Sequence, residues 1–281
     1  MASFDFIDAA ARGYDFVWRE RNYLARVAVP VIFVKVACLL GVFVLGLQDS
    51  YARQGLVLLP GYVMEALFVV GLIRYALYRE GIFIWGKPVP VPDTKEKYPS
   101  YRGPMSRKQC IQGGFAMYML LTVILLGFSA YLYDFSRISI ENIPEESAAP
   151  LPLDAANDPV ISIASTAVLL IVLISSLWAF RLFWMYIPII MGHSVQSLLK
   201  RLSGIQSSVY MLATSLICFL PLVVVFMVFM QVCLSVFMEG SAGYILIRAL
   251  LEGAMGLVVV SVQAVAMTYA FVEVLSDKEK Q

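Results

Sequence analysis

Apolar residues in this chain fall in long, nearly unbroken runs, not in the alternation of a half-buried strand or the single stripe of a soluble helix. Six runs reach the roughly 20 residues that a helix needs to cross a hydrocarbon core about 30 Å thick. They lie at about 27–47, 56–78, 110–133, 160–182, 209–237 and 244–272. Each is expected to be helical, because an open strand leaves its backbone groups unpaired in lipid. Two other segments are amphipathic. In residues 4–24, Phe4, Ile7, Ala11, Tyr14 and Trp18 follow helical spacing, with Asp5, Asp8, Arg12, Asp15, Arg19 and Asn22 on another stripe. Residues 194–206 repeat the pattern with Val195, Leu198, Leu199, Leu202 and Ile205. Both read as interfacial helices, lying either on the membrane surface or as caps on the bundle. The expected fold is all-α: one membrane domain over 1–281, with six transmembrane helices and two interfacial ones.

Composition agrees. Hydrophobic residues are 60% and charged residues 15% of the 281, and mean hydropathy is +0.79. Such a chain is neither disordered nor a nucleic-acid binder, and a net charge of +1 steers no anionic partner from a distance. The charges that exist are sorted by segment. Arg12, Arg19, Arg21 and Arg26 precede the first run. Arg79, Lys87, Lys95, Lys97, Arg102, Arg107 and Lys108 lie between the second and third. Lys200 and Arg201 lie between the fourth and fifth, and Lys278 and Lys280 in the tail. The connection at 134–158 holds Arg137 alone against Asp134, Glu141, Glu145, Glu146, Asp154 and Asp158. The positive-inside rule then puts both termini and the 79–108 loop in the cytoplasm. The acidic N-terminal stretch does not read as a cleavable signal.

The 79–108 loop carries Pro88, Pro90, Pro92, Pro99 and Pro104, which favour extended backbone. Its Lys87, Lys95, Lys97, Arg102, Arg107 and Lys108 are candidate contacts for a partner protein or an anionic lipid; an ordinary ordered loop is the plainer alternative. The segments YDFVWRERNYLARVAVPVI and RLFWMYIPIIMGHSVQSLLKRLSGIQSSVYMLATSL carry a family likeness. In them the chain resembles the YciC-like bacterial six-span inner-membrane proteins and the membrane domains of some glycerophosphodiester phosphodiesterases. The resemblance implies an integral protein of a bacterial inner membrane and transfers no catalytic residue. A weak internal echo joins 4–78 to 194–272, with Glu65 and Glu252 each about eight residues from the outer end of a run.

Candidate chemistry is sparse. There is no Walker A loop, HExxH, GxSxG or GxGxxG. His193 is the single histidine, too few for a His-based metal site or triad, and reads as an interface residue. Cys38, Cys110, Cys218 and Cys233 form no CxxC pair and read as buried small hydrophobes. Met227, Met230 and Cys233 would suit Cu(I), but thirteen methionines make such spacing common, so no cofactor is expected.

Charges inside the runs are costly and should face protein or water. The candidates are Lys35, Glu65, Arg248 and Glu252. Lys35 and Glu65 fall within roughly 6 Å of one level on antiparallel helices, and Arg248 and Glu252 are one turn apart. They form either a polar midplane site for a cation or proton, or two self-neutralising pairs that pin helix packing. Arg74 and Arg181 are expected to snorkel to the surface. Gly113, Gly114, Gly253, Gly256 and Ala264 mark close helix approach. Function is expected to be that of a non-enzymatic accessory or scaffold subunit, with a small-substrate or lipid transporter as the alternative.

Overall fold

Asp5 starts the first helix of the computed structural model, its carboxylate accepting the backbone N–H groups of Ile7 and Asp8 at 2.9 and 3.2 Å. The structure describes residues 4–47, 50–82, 105–141, 180–196, 199, 205–238 and 240–276. Helix α1 spans Phe6–Arg19, α2 Arg21–Val44, α3 Tyr51–Tyr78 and α4 Arg107–Glu141. A 3₁₀ turn, Arg181–Trp184, leads into the short α5, Tyr186–Ile190. Then come α6, Ile205–Leu234, and α7, Ala242–Ser276. The described residues form helices and no strand. Five of the helices (α2, α3, α4, α6 and α7) are long and apolar enough to cross a membrane. Residues 160–179 of the expected fourth span lie outside the described residues. So do 83–104 of the basic loop, 142–158 of the acidic loop and most of 194–206.

All five helices of spanning length start before their apolar run, but they end short of it (α2, α6), on it (α3) or beyond it (α4, α7). α2 begins at Arg21, separated from α1 by Glu20 alone, and α4 runs on to Glu141 through the start of the expected acidic loop. DFSRISIE contains no Gly or Pro, so α4 continues past the change in polarity, whereas the chain turns at Glu20, between α1 and α2, without either residue.

The central helix is α3. Every residue from Phe68 to Leu77 is buried, because α2, α4, α5 and α7 surround this half of it. Phe68, Leu72 and Ile73 pack there with Ile187, Ile190 and Met191 of the α5 segment and Met267 of α7. α5 is seated by glycine. A Cβ on Gly113 would lie 2.8 Å from Ile189 Cγ2, and one on Gly114 would lie 2.3 Å from Ile190 Cγ1.

α1 packs across α6 and α7. It buries Ala9, Ala10, Gly13 and Phe16, and leaves Ile7, Ala11 and Trp18 exposed. The helix therefore has three sectors, not two. Small residues face the bundle, Ile7, Ala11, Tyr14 and Trp18 form an apolar flank, and Asp8, Arg12, Asp15 and Arg19 form a polar one. The polar flank is closed by the Asp8–Arg12 and Asp15–Arg19 pairs.

Pro221 inside α6 lacks the N–H that would reach Ile217 O. The Tyr14 hydroxyl donates to Cys218 O at 2.8 Å and lies 3.3 Å from Ile217 O. α1 thus covers the backbone that this proline exposes.

Candidate functional site: a charge cluster between the helices

Lys35 leaves α2 through a passage lined by glycine. A Cβ on Gly61 of α3 would lie 3.3 Å from Lys35 Cγ, and one on Gly256 of α7 would lie 3.5 Å from Lys35 Nζ. An added Cβ would crowd the lysine stem at Gly61, whereas at Gly256 it would make an ordinary contact with the ammonium. Its ammonium reaches Glu65 Oε2 of α3 and donates to it. The other carboxylate oxygen, Oε1, accepts the Tyr118 hydroxyl of α4 at 2.6 Å. Glu65 is buried, and Tyr118 packs edge-on against Tyr186, ring centroids 5.1 Å apart. One carboxylate therefore ties α2, α3 and α4 together beside α7. Both of its oxygens are satisfied, as a buried charge requires.

Arg248 and Glu252 form the second pair, Nε to Oε1 at 2.8 Å, within one turn of α7. Arg248 also lies over the Phe43 ring, 5.9 Å from its centroid. The four intramembrane candidates thus divide into two pairs. Lys35–Glu65 is enclosed, whereas Arg248–Glu252 is half exposed.

The sequence did not reveal a third cluster, at the end of the bundle where basic residues gather. Arg74 does not snorkel; it is buried. Its Nε and Nη2 donate to Glu80 at 2.9 and 2.8 Å, and its Nη1 donates to Ile190 O at 3.3 Å. Arg181, the other expected snorkeller, is also buried. Arg107 donates to Glu80 at 2.9 Å, so this member of the expected partner-binding set is held within the chain. Lys108 is exposed at the start of α4. Lys87, Lys95, Lys97 and Arg102 lie outside the described residues.

Glu80 sits in a segment that folds back on α3. A Cβ on Gly71 would lie 2.0 Å from Ile82 O, so only glycine admits this return. Burial raises the Glu80 pKa, but the Arg74 and Arg107 guanidiniums outweigh it and hold the carboxyl below its ordinary value. Beside it, Glu20 accepts Tyr75 Oη and Arg79 Nη1, both at 2.7 Å. Arg79 takes a left-handed φ of 53° as the residue ending α3. The ion pair and the Phe16 and Tyr75 rings beneath its guanidinium hold it there.

Ile190 O belongs to a capped helix end. Gly192, at φ 88°, lets its N–H reach Ile189 O at 3.0 Å, while the His193 N–H reaches Pro188 O at 2.8 Å. Arg74 then adds a cation at this helix C-terminus, where the backbone dipole favours one.

All four cysteines are free thiols. Met227 of the expected soft-donor set is 66% exposed. Among the described residues, no group of three His, Cys, Asp or Glu side chains could hold a metal.

No protein-family model, no curated protein and no solved structure matches this chain. The likeness to the YciC-like group rests on the two sequence segments alone.

Proposed function

We propose that this integral membrane protein is a non-enzymatic accessory or scaffold subunit of a membrane complex. We place it in a bacterial inner membrane, with both termini in the cytoplasm. The observation that carries the reading is the Arg248–Glu252 pair. Its side chains are 43% and 33% exposed on a helix of spanning length. Outward-facing charge in hydrocarbon costs roughly 2.5–3.5 kcal/mol per residue at mid-helix and less toward a helix end, where this pair stands in the first third of α7. A helix of another subunit, laid against this face, would cover the pair and supply further hydrogen-bond partners. The enclosed Lys35–Glu65–Tyr118 cluster suits a fixed framework, since its carboxylate has no free oxygen for a cargo ion.

The test is purification in mild detergent followed by native mass spectrometry. The wild-type chain should carry a stoichiometric second polypeptide. The double variant Arg248→Leu, Glu252→Leu should keep its melting temperature but lose that polypeptide. A wild-type chain that purifies alone would overturn the reading, as would a double variant that keeps its partner.

Transport is the second reading, and one observation favours it. Tyr118 donates to Glu65 and also lines a cavity of about 200 Å³, shared with Phe183, Trp184, Val260 and Gln263. Ion- or proton-coupled uptake into proteoliposomes that disappears in Glu65→Gln would move the weight to this reading.

A further inference from the structure

A second cavity, of about 270 Å³, opens between α2 and α7. Leu24, Ala25, Ala28 and Ile32 form one wall, and Ala254, Leu257 and Val258 form the other. Phe68 of α3 and Val17 of α1 also contribute to it. The cavity exists because α1 turns into α2 at Glu20 and because the facing residues of both walls include alanines. Nearly all of its lining is apolar. Its Ser261 hydroxyl is already committed to Leu257 O at 2.6 Å. Between α2 and α7, away from Arg21, water finds no set of polar partners. An empty apolar cleft of this size beside lipid would also forfeit packing contacts along its whole wall.

One charge belongs to the lining, Arg21. Its guanidinium lies over the Trp18 ring, 4.8 Å from the centroid, and Nη1 donates to Trp18 O at 3.1 Å. These contacts fix its position and use one of its five N–H donors. Among the described residues no carboxylate pairs with it. The nearest acid in sequence, Glu20, is occupied by Arg79 and Tyr75. An apolar slot with a fixed cation and an indole in its wall has the chemistry of an amphiphile site. The tail fills the slot, and an anionic headgroup meets the donor fork, which matches phosphate geometry.

We infer that the α1–α2–α7 cleft binds one anionic phospholipid, with an acyl chain between α2 and α7 and its phosphate on Arg21. The lipid comes from the surrounding bilayer. It would act as a packing element joining the N-terminal helix pair to α7. This inference requires that α2 and α7 stand in a bilayer, and it is independent of any partner subunit.

The test uses the full chain in mild detergent, titrated with dioleoyl-phosphatidylglycerol or dioleoyl-phosphatidylcholine. Native mass spectrometry and melting temperature are the readouts. The wild-type chain should retain one phosphatidylglycerol and melt higher as that lipid is added, with a weaker response to phosphatidylcholine. Arg21→Gln changes an exposed side chain and should fold normally. Its preference for the anionic lipid should fall roughly fivefold, the loss expected for one basic residue near a charged headgroup. Ala254→Leu fills the slot and should abolish retention of either lipid. Equal binding of both lipids by the wild type would overturn the headgroup assignment. Retention of lipid by a folded Ala254→Leu chain would overturn the cleft. A chain that stays in aqueous solution without detergent would overturn the bilayer setting itself, a result distinct from both.

Discussion

Glu65 accepts from two helices at once, and that fixes what each substitution there does. Removing one member of a buried pair strands the other as an uncompensated charge, at a cost of about 3–5 kcal/mol. Lys35→Met alone should therefore lower the melting temperature sharply. Lys35→Met combined with Glu65→Leu should recover most of the loss, because two well-packed apolar side chains replace two charges. A double variant as unstable as the single one would mean that the pair does not act as a unit. Glu80 gives a second prediction, in pH. Its carboxyl titrates below its ordinary value of 4.5 in the folded chain, so it binds protons less readily folded than unfolded. Its contribution is fully present above about pH 4.5 and is lost as pH falls through the lowered native value. Thermal melts between pH 6 and 3 should show an acid-side fall that flattens in Glu80→Gln. At this scale the sequence was half legible. Lys35 and Glu65 stand out because charge in an apolar run is rare. Tyr118 does not, because an aromatic in a span is ordinary and its contact with Glu65 bridges 53 positions of sequence. Arg74 looked like a snorkelling arginine because its partners, Glu80 and Ile190 O, become neighbours only when the chain after α3 turns back.

At the scale of elements, hydrophobicity located the five described helices of spanning length but not their ends. Edges of apolar runs mark where lipid stops; helices stop where glycine, proline or a cap intervenes. α1 shows the same limit in another form. Its stripe of Ile7, Ala11, Tyr14 and Trp18 is real, yet Ala9, Ala10 and Gly13 make the protein contact. Small residues carry little hydrophobic signal, although they allow the closest approach: a Cβ on Gly13 would stand 2.8 Å from the Ala266 Cβ. The return after α3 depends on glycine in the same way. Gly71→Ala should be destabilising by about 1–3 kcal/mol, the range for overpacking, because the obstacle is backbone and cannot rotate aside. Circular dichroism melts would check it, and an unchanged midpoint would mean that residues 80–82 can leave α3 freely.

For the molecule as a whole, the membrane character was legible from composition, since few other settings tolerate 60% hydrophobic residues with 15% charged. Connectivity was less so. Nothing in the periodicity shows that residues 181–191 coil into a 3₁₀ turn and a five-residue helix buried among α3, α4 and α7. Pro188 and Gly192 mark the break only once the cap around them is seen.

The docking of α1 on the last two helices has a consequence for biosynthesis. Phe6–Arg19 leaves the ribosome before α6 and α7, so its seat on Val262 and Ala266 and its bond to Cys218 O can form only after they emerge. At roughly 5–20 residues per second, α1 waits on the order of ten to fifty seconds for that seat to emerge. Its three-sided surface suits the wait, because a polar and an apolar flank are what a helix resting at a membrane surface needs while its alanine and glycine face has no partner. A chain cut short before α7 would leave that face bare, so translation that stops early gives a product marked at α1 as incomplete.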